Sequence, residues 1–180
     1  MFLRKWYKIL AMNTKVIIGI IVATAIVLVG AVVLLGNSTP GSSKAVLGKT
    51  AGAKIEAPET NFDFKDIPYP GGNAIHEFKV KNTGDKELVI ANLATSCMCT
   101  KVYLQTESGK GPEFGMKGHT ASSDWTGAIA PGKEGQVVAV YDPTAHGPQG
   151  VGPISRIVSF ETNDPGRPYM EFTFSGNVVK

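Results

Sequence analysis

Residues 74–84 read AIHEFKVKNTG. His76, Phe78 and Val80 share one parity, and Glu77, Lys79 and Lys81 share the other. Strict alternation marks a half-buried β-strand, because successive side chains of an extended chain point to opposite faces. Asn82-Thr83-Gly84-Asp85 then turns the chain, since Asn and Gly accept a positive φ. The same texture runs outward from this stretch in both directions, beginning at residue 55. Phe62 and Phe64 alternate around Asp63, and KELVIANL, GQVVAVYD, ISRIVSFETND and YMEFTFSGNVV follow between turns. Ile154, Val158 and Phe160 fall on one face, as do Met170, Phe172 and Phe174. Nothing after residue 55 carries a helical period. The pattern predicts an all-β fold, an Ig-like antiparallel sandwich of about seven strands.

Upstream the composition changes. Val16–Leu35 is twenty residues without a charge, and Thr24 is its only polar side chain. As a helix it spans ~30 Å, the thickness of a bilayer's hydrocarbon core. A cleaved signal peptide would have an apolar region of ~7–15 residues and an A-x-A-like site. Leu34-Leu35-Gly36-Asn37 offers no such site, and no cysteine follows to take a lipid, so a retained signal anchor is expected. Arg4, Lys5, Lys8 and Lys15 precede the segment, which keeps that end cytoplasmic and sends the rest outside. Trp6 and Tyr7 suit the interface. The expected organisation is a basic cytoplasmic N-terminus (1–15), a transmembrane anchor (16–36), a Gly/Ser/Lys-rich flexible linker (37–54) and the sandwich (55–180) in the extracytoplasmic space. The formal charge of +3 divides into seven Lys/Arg and no acid before residue 55, and eleven Lys/Arg against fifteen acids after it. The mildly acidic sandwich excludes a nucleic-acid-binding face, which needs clustered basic residues.

An ordered series of motifs then narrows the family. It runs Phe62-Asp63-Phe64 with Ile67, Phe78 through Gly84, Leu88-Val89-Ile90, Ser96-Cys97-Met98-Cys99-Thr100, Ala130-Pro131-Gly132, Tyr141-Asp142 and Thr162-Asn163-Asp164-Pro165. This resembles the bacterial domain of unknown function DUF1573, over roughly residues 57–179. The resemblance implies an Ig-like sandwich similar to the ASPM/SPD-2/Hydin modules, an extracytoplasmic and often membrane-tethered setting, and no established reaction. The family commonly has Gly where this chain has Met98. It also has a shorter connection than Gln105–Gly127, a Gly- and Ser-rich run that interrupts the strand rhythm. The turn motifs have structural reasons of their own; Pro131-Gly132 reads as a type II turn.

Cys97 and Cys99 are the only cysteines. On a strand, i and i+2 face the same way. Three readings stand open: two packed thiols, a C-x-C disulfide, or a soft-metal site for Cu or Zn. A bridge is favoured by an oxidising compartment and opposed by the ~6.5–7 Å between extended i and i+2 Cα atoms, so the chain would have to kink. A metal set would add His119 and His146, with Met116 tilting it toward copper. Thiol-redox catalysis lacks the helix N-terminus that activates C-x-x-C enzymes. Trp125 is either a plug under its loop or an exposed contact for a partner. Arg156, on the inward parity of its strand, reads as a sheet-end residue paired with an acid. Asp63, Asp66, Asp124 and Asp142 form no catalytic pair, and no nucleophile elbow, P-loop or dinucleotide fingerprint occurs. The expectation is therefore no enzyme. It is instead a tethered module binding a protein or envelope component, with soft-metal binding as the alternative.

Overall fold

The computed structural model describes residues 14–36, 44–121 and 123–180. The chain divides into two compact units, residues 1–41 and 42–180. The first contains helix α1, Thr14–Gly36, which is long and apolar enough to cross a membrane. Ile18, Ile21, Ile26 and Val29 are exposed along it. Thr24 Oγ1 donates to the Ile20 carbonyl at 2.8 Å, which satisfies that hydroxyl within the helix. Arg4, Lys5, Trp6, Tyr7 and Lys8 lie outside the described residues, as do residues 37–43.

The second unit is the sandwich. Its strands are β1 Ile55–Glu56, β2 Asn61–Pro68, β3 Ala74–Asn82, β4 Leu88–Thr95, β5 Thr100–Thr106, β6 Gly109–Lys110, β7 Thr126–Ile129, β8 Glu134–Tyr141, β9 Gly152–Thr162 and β10 Tyr169–Val179. One sheet runs β1-β3-β8-β5-β6 and the other β2-β10-β9-β4-β7. The seven longest strands each have at least seven residues and account for the expected set. Three short ones extend the sheet edges.

One pairing departs from the antiparallel expectation: β2 runs parallel to β10. The opening strand of the fold is split. β1 pairs with β3 in one sheet, and after four residues β2 joins β10 in the other. Side-chain alternation is the same in both directions of pairing, so the sequence pattern is silent on it. Lys65 takes φ 59° where β2 bulges against β10.

The two inner faces meet in an aromatic core. Phe78, Phe160, Phe172 and Phe174 are fully buried. Phe78 lies 4.8 Å from Phe172 and Phe64 lies 5.6 Å from Phe174, ring centre to ring centre. The first pair is tilted and the second edge to face, and aromatic contacts at such spacings add to the burial term. His76 stacks on Phe62 at 3.5 Å and holds Glu59 Oε2 with Nε2 at 2.8 Å, clasping β2 and its approach to β3.

The turn motifs work as read, with one change of reason. Gly132 takes φ 75° and Lys133 N–H donates to the Ala130 carbonyl at 3.0 Å, which is the type II turn. Asn82 and Gly84, by contrast, do not use positive φ. Asn82 is buried, and its amide donates to the Lys86 and Ile129 carbonyls at 2.8 and 2.9 Å. Gly84 is needed because a Cβ there would collide with the Gly52 carbonyl.

That collision belongs to a segment expected to be a flexible linker. Residues 44–54 are seated on the sandwich. Ala45 and Ala53 are buried. Ala45 N–H donates to the Ser123 carbonyl at 3.1 Å, Thr50 N–H donates to the Asn163 carbonyl at 2.8 Å, and Lys44 pairs with Glu161 at 2.6 Å. The reason is that the segment needs few large side chains. Polar groups from distant parts of the chain bind its backbone, and two alanines fill the remaining space. Asn92, at φ 54° in a bulge of β4, is one of them, donating to the Ala45 carbonyl at 2.9 Å.

The described residues of the run 105–127 are also bonded to the sandwich. Val102 and Phe114 exchange backbone bonds at 2.9 and 2.8 Å, and Thr95 N–H donates to the Gly115 carbonyl at 3.0 Å. The insertion thus bonds to a strand of each sheet, β5 and β4. It sinks Phe114 into the core between them.

Candidate functional site

Cys97 and Cys99 sit in the tight connection from β4 to β5, where the chain leaves one sheet for the other. They are not on a strand. Ser96 ties the departing chain to β9: its N–H donates to the Ile157 carbonyl, and its Oγ accepts from Ile157 N–H, both at 2.9 Å. Thr100 N–H donates to the Cys97 carbonyl at 3.2 Å and closes the turn. Beneath it, buried Thr95 Oγ1 reaches the Cys97 and Thr100 carbonyls at 2.9 and 3.1 Å. The turn brings the two cysteine Cα atoms to 5.2 Å, and the sulfurs form a disulfide. This is the kink that the sequence required for a bridge. Cys99 is buried, Cys97 is half-buried, and Met98 projects outward with 64% of its surface exposed.

Two basic side chains reach the sulfurs from elsewhere. His146 Nε2 lies 3.3 Å from Cys97 Sγ. Its loop follows β8 and is anchored at the disulfide, since Asp142 N–H donates to the Cys99 carbonyl at 2.9 Å. Asp142 Oδ1 then accepts from Thr144 N–H at 2.8 Å and from Thr144 Oγ1 at 2.7 Å, which shapes the turn that brings His146 back. Arg156 comes from β9. Its Nε–H donates to Cys99 Sγ at 3.2 Å, Nη1 donates to the Ser155 carbonyl at 2.8 Å, and the guanidinium carbon stands 6.0 Å from the centre of the Tyr141 ring. The expected acid partner of Arg156 is not what it meets: its partners here are a sulfur, a carbonyl and a ring. Burial pushes the Tyr141 phenol above its ordinary range, against the Arg156 charge that lowers it.

Of the candidate metal ligands, Cys97, Cys99 and His146 converge, with ligand atoms within 4.8 Å of one another. His119 and Met116 do not complete that group. His119 is exposed in a turn closed by its N–H on the Met116 carbonyl at 3.1 Å. Met116 lines a separate depression on the outer face of the second sheet, with Asn92, Ala94, Ser159 and Glu161. The disulfide argues against Cu or Zn at this site, because a metal needs thiolates and bridged sulfurs are not thiolates.

Trp125, read as either plug or partner contact, packs inward. Its ring lies 5.7 Å from Phe114, and a Cβ at Gly111 or Gly127 would strike it. The residue that sequence reasoning missed is Arg156 as a neighbour of sulfur. Its signal was present: a cation on the inward parity of a strand must meet something that tolerates it.

The architecture defines the class. It is an Ig-like sandwich in which a split first strand is shared between a β1-β3-β8-β5 sheet and a β10-β9-β4 sheet. The model of the family described as a protein of unknown function (DUF1573) matches residues 55–119. It bears out, over that stretch, the family resemblance carried by the motifs. No curated protein matches the chain. Among solved structures, a protein of unknown function from Porphyromonas gingivalis W83 is similar at TM-score 0.51 and 15% identity, over 78% of this chain and 50% of that one. The present chain therefore spans half the length of that protein. The ASH/PapD-like domain 7 of human CEP192 is similar at TM-score 0.43 and 18% identity, over 77% of this chain and 95% of that one. These identities speak to the fold alone.

Proposed function

We propose that the chain is a single-pass membrane protein whose Ig-like sandwich lies outside the cytoplasm and binds a protein or other envelope component. The observation that carries this is the pairing of α1 with a sandwich that holds a disulfide. Disulfides persist in oxidising compartments. The charges at Arg4, Lys5, Lys8 and Lys15 orient the helix so that its C-terminal side faces such a compartment. A binding role rests on the fold class, in which loops and sheet edges on a rigid core recognise partners.

The experiment joins topology to capture. An alkaline phosphatase fused after Lys180 is active only outside the cytoplasm, so activity is expected. A photocrosslinker placed at exposed Met98 or Ile75 in the full-length chain is expected to give one discrete adduct in living cells. An inactive fusion overturns the location, and the absence of any adduct from both positions overturns the binding role.

A further inference from the structure

We infer that Cys97–Cys99 is an exchangeable disulfide which accepts two electrons from a dithiol on another protein, rather than a fixed brace. This goes beyond the binding role and does not depend on it.

The two sulfurs are unequal. Cys97 is half-buried and within reach of an incoming group, while Cys99 is buried behind it. The buried sulfur receives the guanidinium Nε–H of Arg156, and the outer one faces His146 Nε2. Exchange is fastest when the departing sulfur is stabilised as a thiolate. Arg156 is a permanent cation placed at the sulfur that would depart. A helix N-terminus supplies this stabilisation in C-x-x-C proteins; here the inward-facing arginine of β9 supplies it. A brace is not what this part of the fold needs, because a bridge with one residue between its cysteines closes a very small loop and removes little entropy from the unfolded chain. Ser96, Thr95, Thr100 and Asp142 already hold the turn by hydrogen bonds.

The first thiol of the partner gives its proton to His146 Nε2, and its sulfur attacks Cys97 Sγ. The Cys97–Cys99 bond breaks, a mixed disulfide forms on Cys97, and Cys99 leaves as a thiolate held by Arg156. The partner's second thiol then attacks its own sulfur in the mixed disulfide. Cys97 departs and takes the proton from His146. The second thiol's proton passes to the Cys99 thiolate. The partner is oxidised to a disulfide and the pair in this chain is reduced to two thiols, with two electrons and two protons transferred.

The test uses the full-length chain in detergent. Equilibration with glutathione buffers, acid quench and maleimide labelling read the fraction reduced. Millimolar reduced glutathione is expected to open the disulfide with near-ultraviolet circular dichroism unchanged. Arg156→Met is expected to lower the equilibrium constant for reduction about tenfold, or ~30 mV for a two-electron couple, and Arg156→Lys to restore most of it. Oxidised glutathione is expected to add to Cys97 in the Cys99→Ser variant and to leave Cys99 unmodified in Cys97→Ser. A disulfide that resists millimolar glutathione overturns the proposal. So does an equilibrium constant that Arg156→Met leaves unchanged, or equal labelling of the two single-cysteine variants.

Discussion

Replacing Asn163 by alanine tests whether residues 44–54 are part of the folded domain. Asn163 is 5% exposed. Its Oδ1 accepts from Val89 N–H at 2.8 Å, and its Nδ2 donates to Thr50 Oγ1 and to the Glu87 carbonyl, both at 3.0 Å. One side chain thus joins the start of β4, the turn after β9 and the segment that precedes β1. Truncation removes three bonds. The Thr50 and Glu87 groups can turn to water, at roughly 0.5–1.5 kcal/mol each, whereas the Val89 N–H loses a partner at a sheet junction, at about 1–3 kcal/mol. Allowing for water at the site, the loss should be about 2–4 kcal/mol, or roughly 8–15 °C in Tm for a domain of this size. Thermal unfolding followed by near-ultraviolet circular dichroism reads it.

Asn163→Asp sharpens the test. The new carboxylate still accepts from Val89 but turns an oxygen toward the Glu87 carbonyl. Repulsion and burial raise its folded pKa above the unfolded value, so the folded state prefers the protonated form. The destabilisation should therefore be full at pH 7 and partly relieved near pH 4. A loss under ~1 kcal/mol for alanine, or an aspartate variant insensitive to pH, would refute the view that this junction holds the segment in place.

Two further outcomes follow from the structure. Trp125→Ala should destabilise the sandwich by about 2 kcal/mol, below the 3–5 typical of a fully buried aromatic because the ring is only half-buried. Urea unfolding checks this, and a change near zero would mean that the ring does not pin the insertion. Burial raises the Glu161 carboxyl, but the bonds from Lys44 and Asn92 outweigh it and hold the group below its ordinary value of 4.5. A depressed carboxyl stabilises above its unfolded pKa and loses that contribution as pH falls through its folded value. Hydrogen exchange at the Ala45 amide, corrected for intrinsic rate, should accordingly lose protection below about pH 4.5. Glu161→Gln should abolish that pH dependence; unchanged protection down to pH 3 would contradict it.

Much of the sandwich was legible because its information is local. The parity of His76, Phe78 and Val80 names the inner face of β3 whatever stands opposite, and Pro131-Gly132 turns the chain whatever it joins. One inference from composition failed, the flexible linker, and the insertion shows the same reason at work. The residues 44–54 and 105–127 are poor in bulky apolar side chains, yet both are held by bonds whose other halves lie far away: Asn92, Asn163, Thr95 and Val102. Low hydrophobicity shows that a segment cannot fold alone, and says nothing about whether a finished surface will bind its backbone.

The candidate site divides the same way. Residue order alone shows that two cysteines lie one residue apart, that an apolar helix precedes the sandwich, and that Arg156 faces inward. The folded chain selects among the three meanings of the cysteines. It bent the β4–β5 connection until the sulfurs met, and it brought in His146 from 49 residues away and Arg156 from 57. It left His119 outside. A strand pattern specifies the face on which a side chain stands, because the pleat is a property of the chain itself. Which side chains meet across the sandwich depends on sheet order, register and the course of loops, and these are settled by the packing of the whole domain.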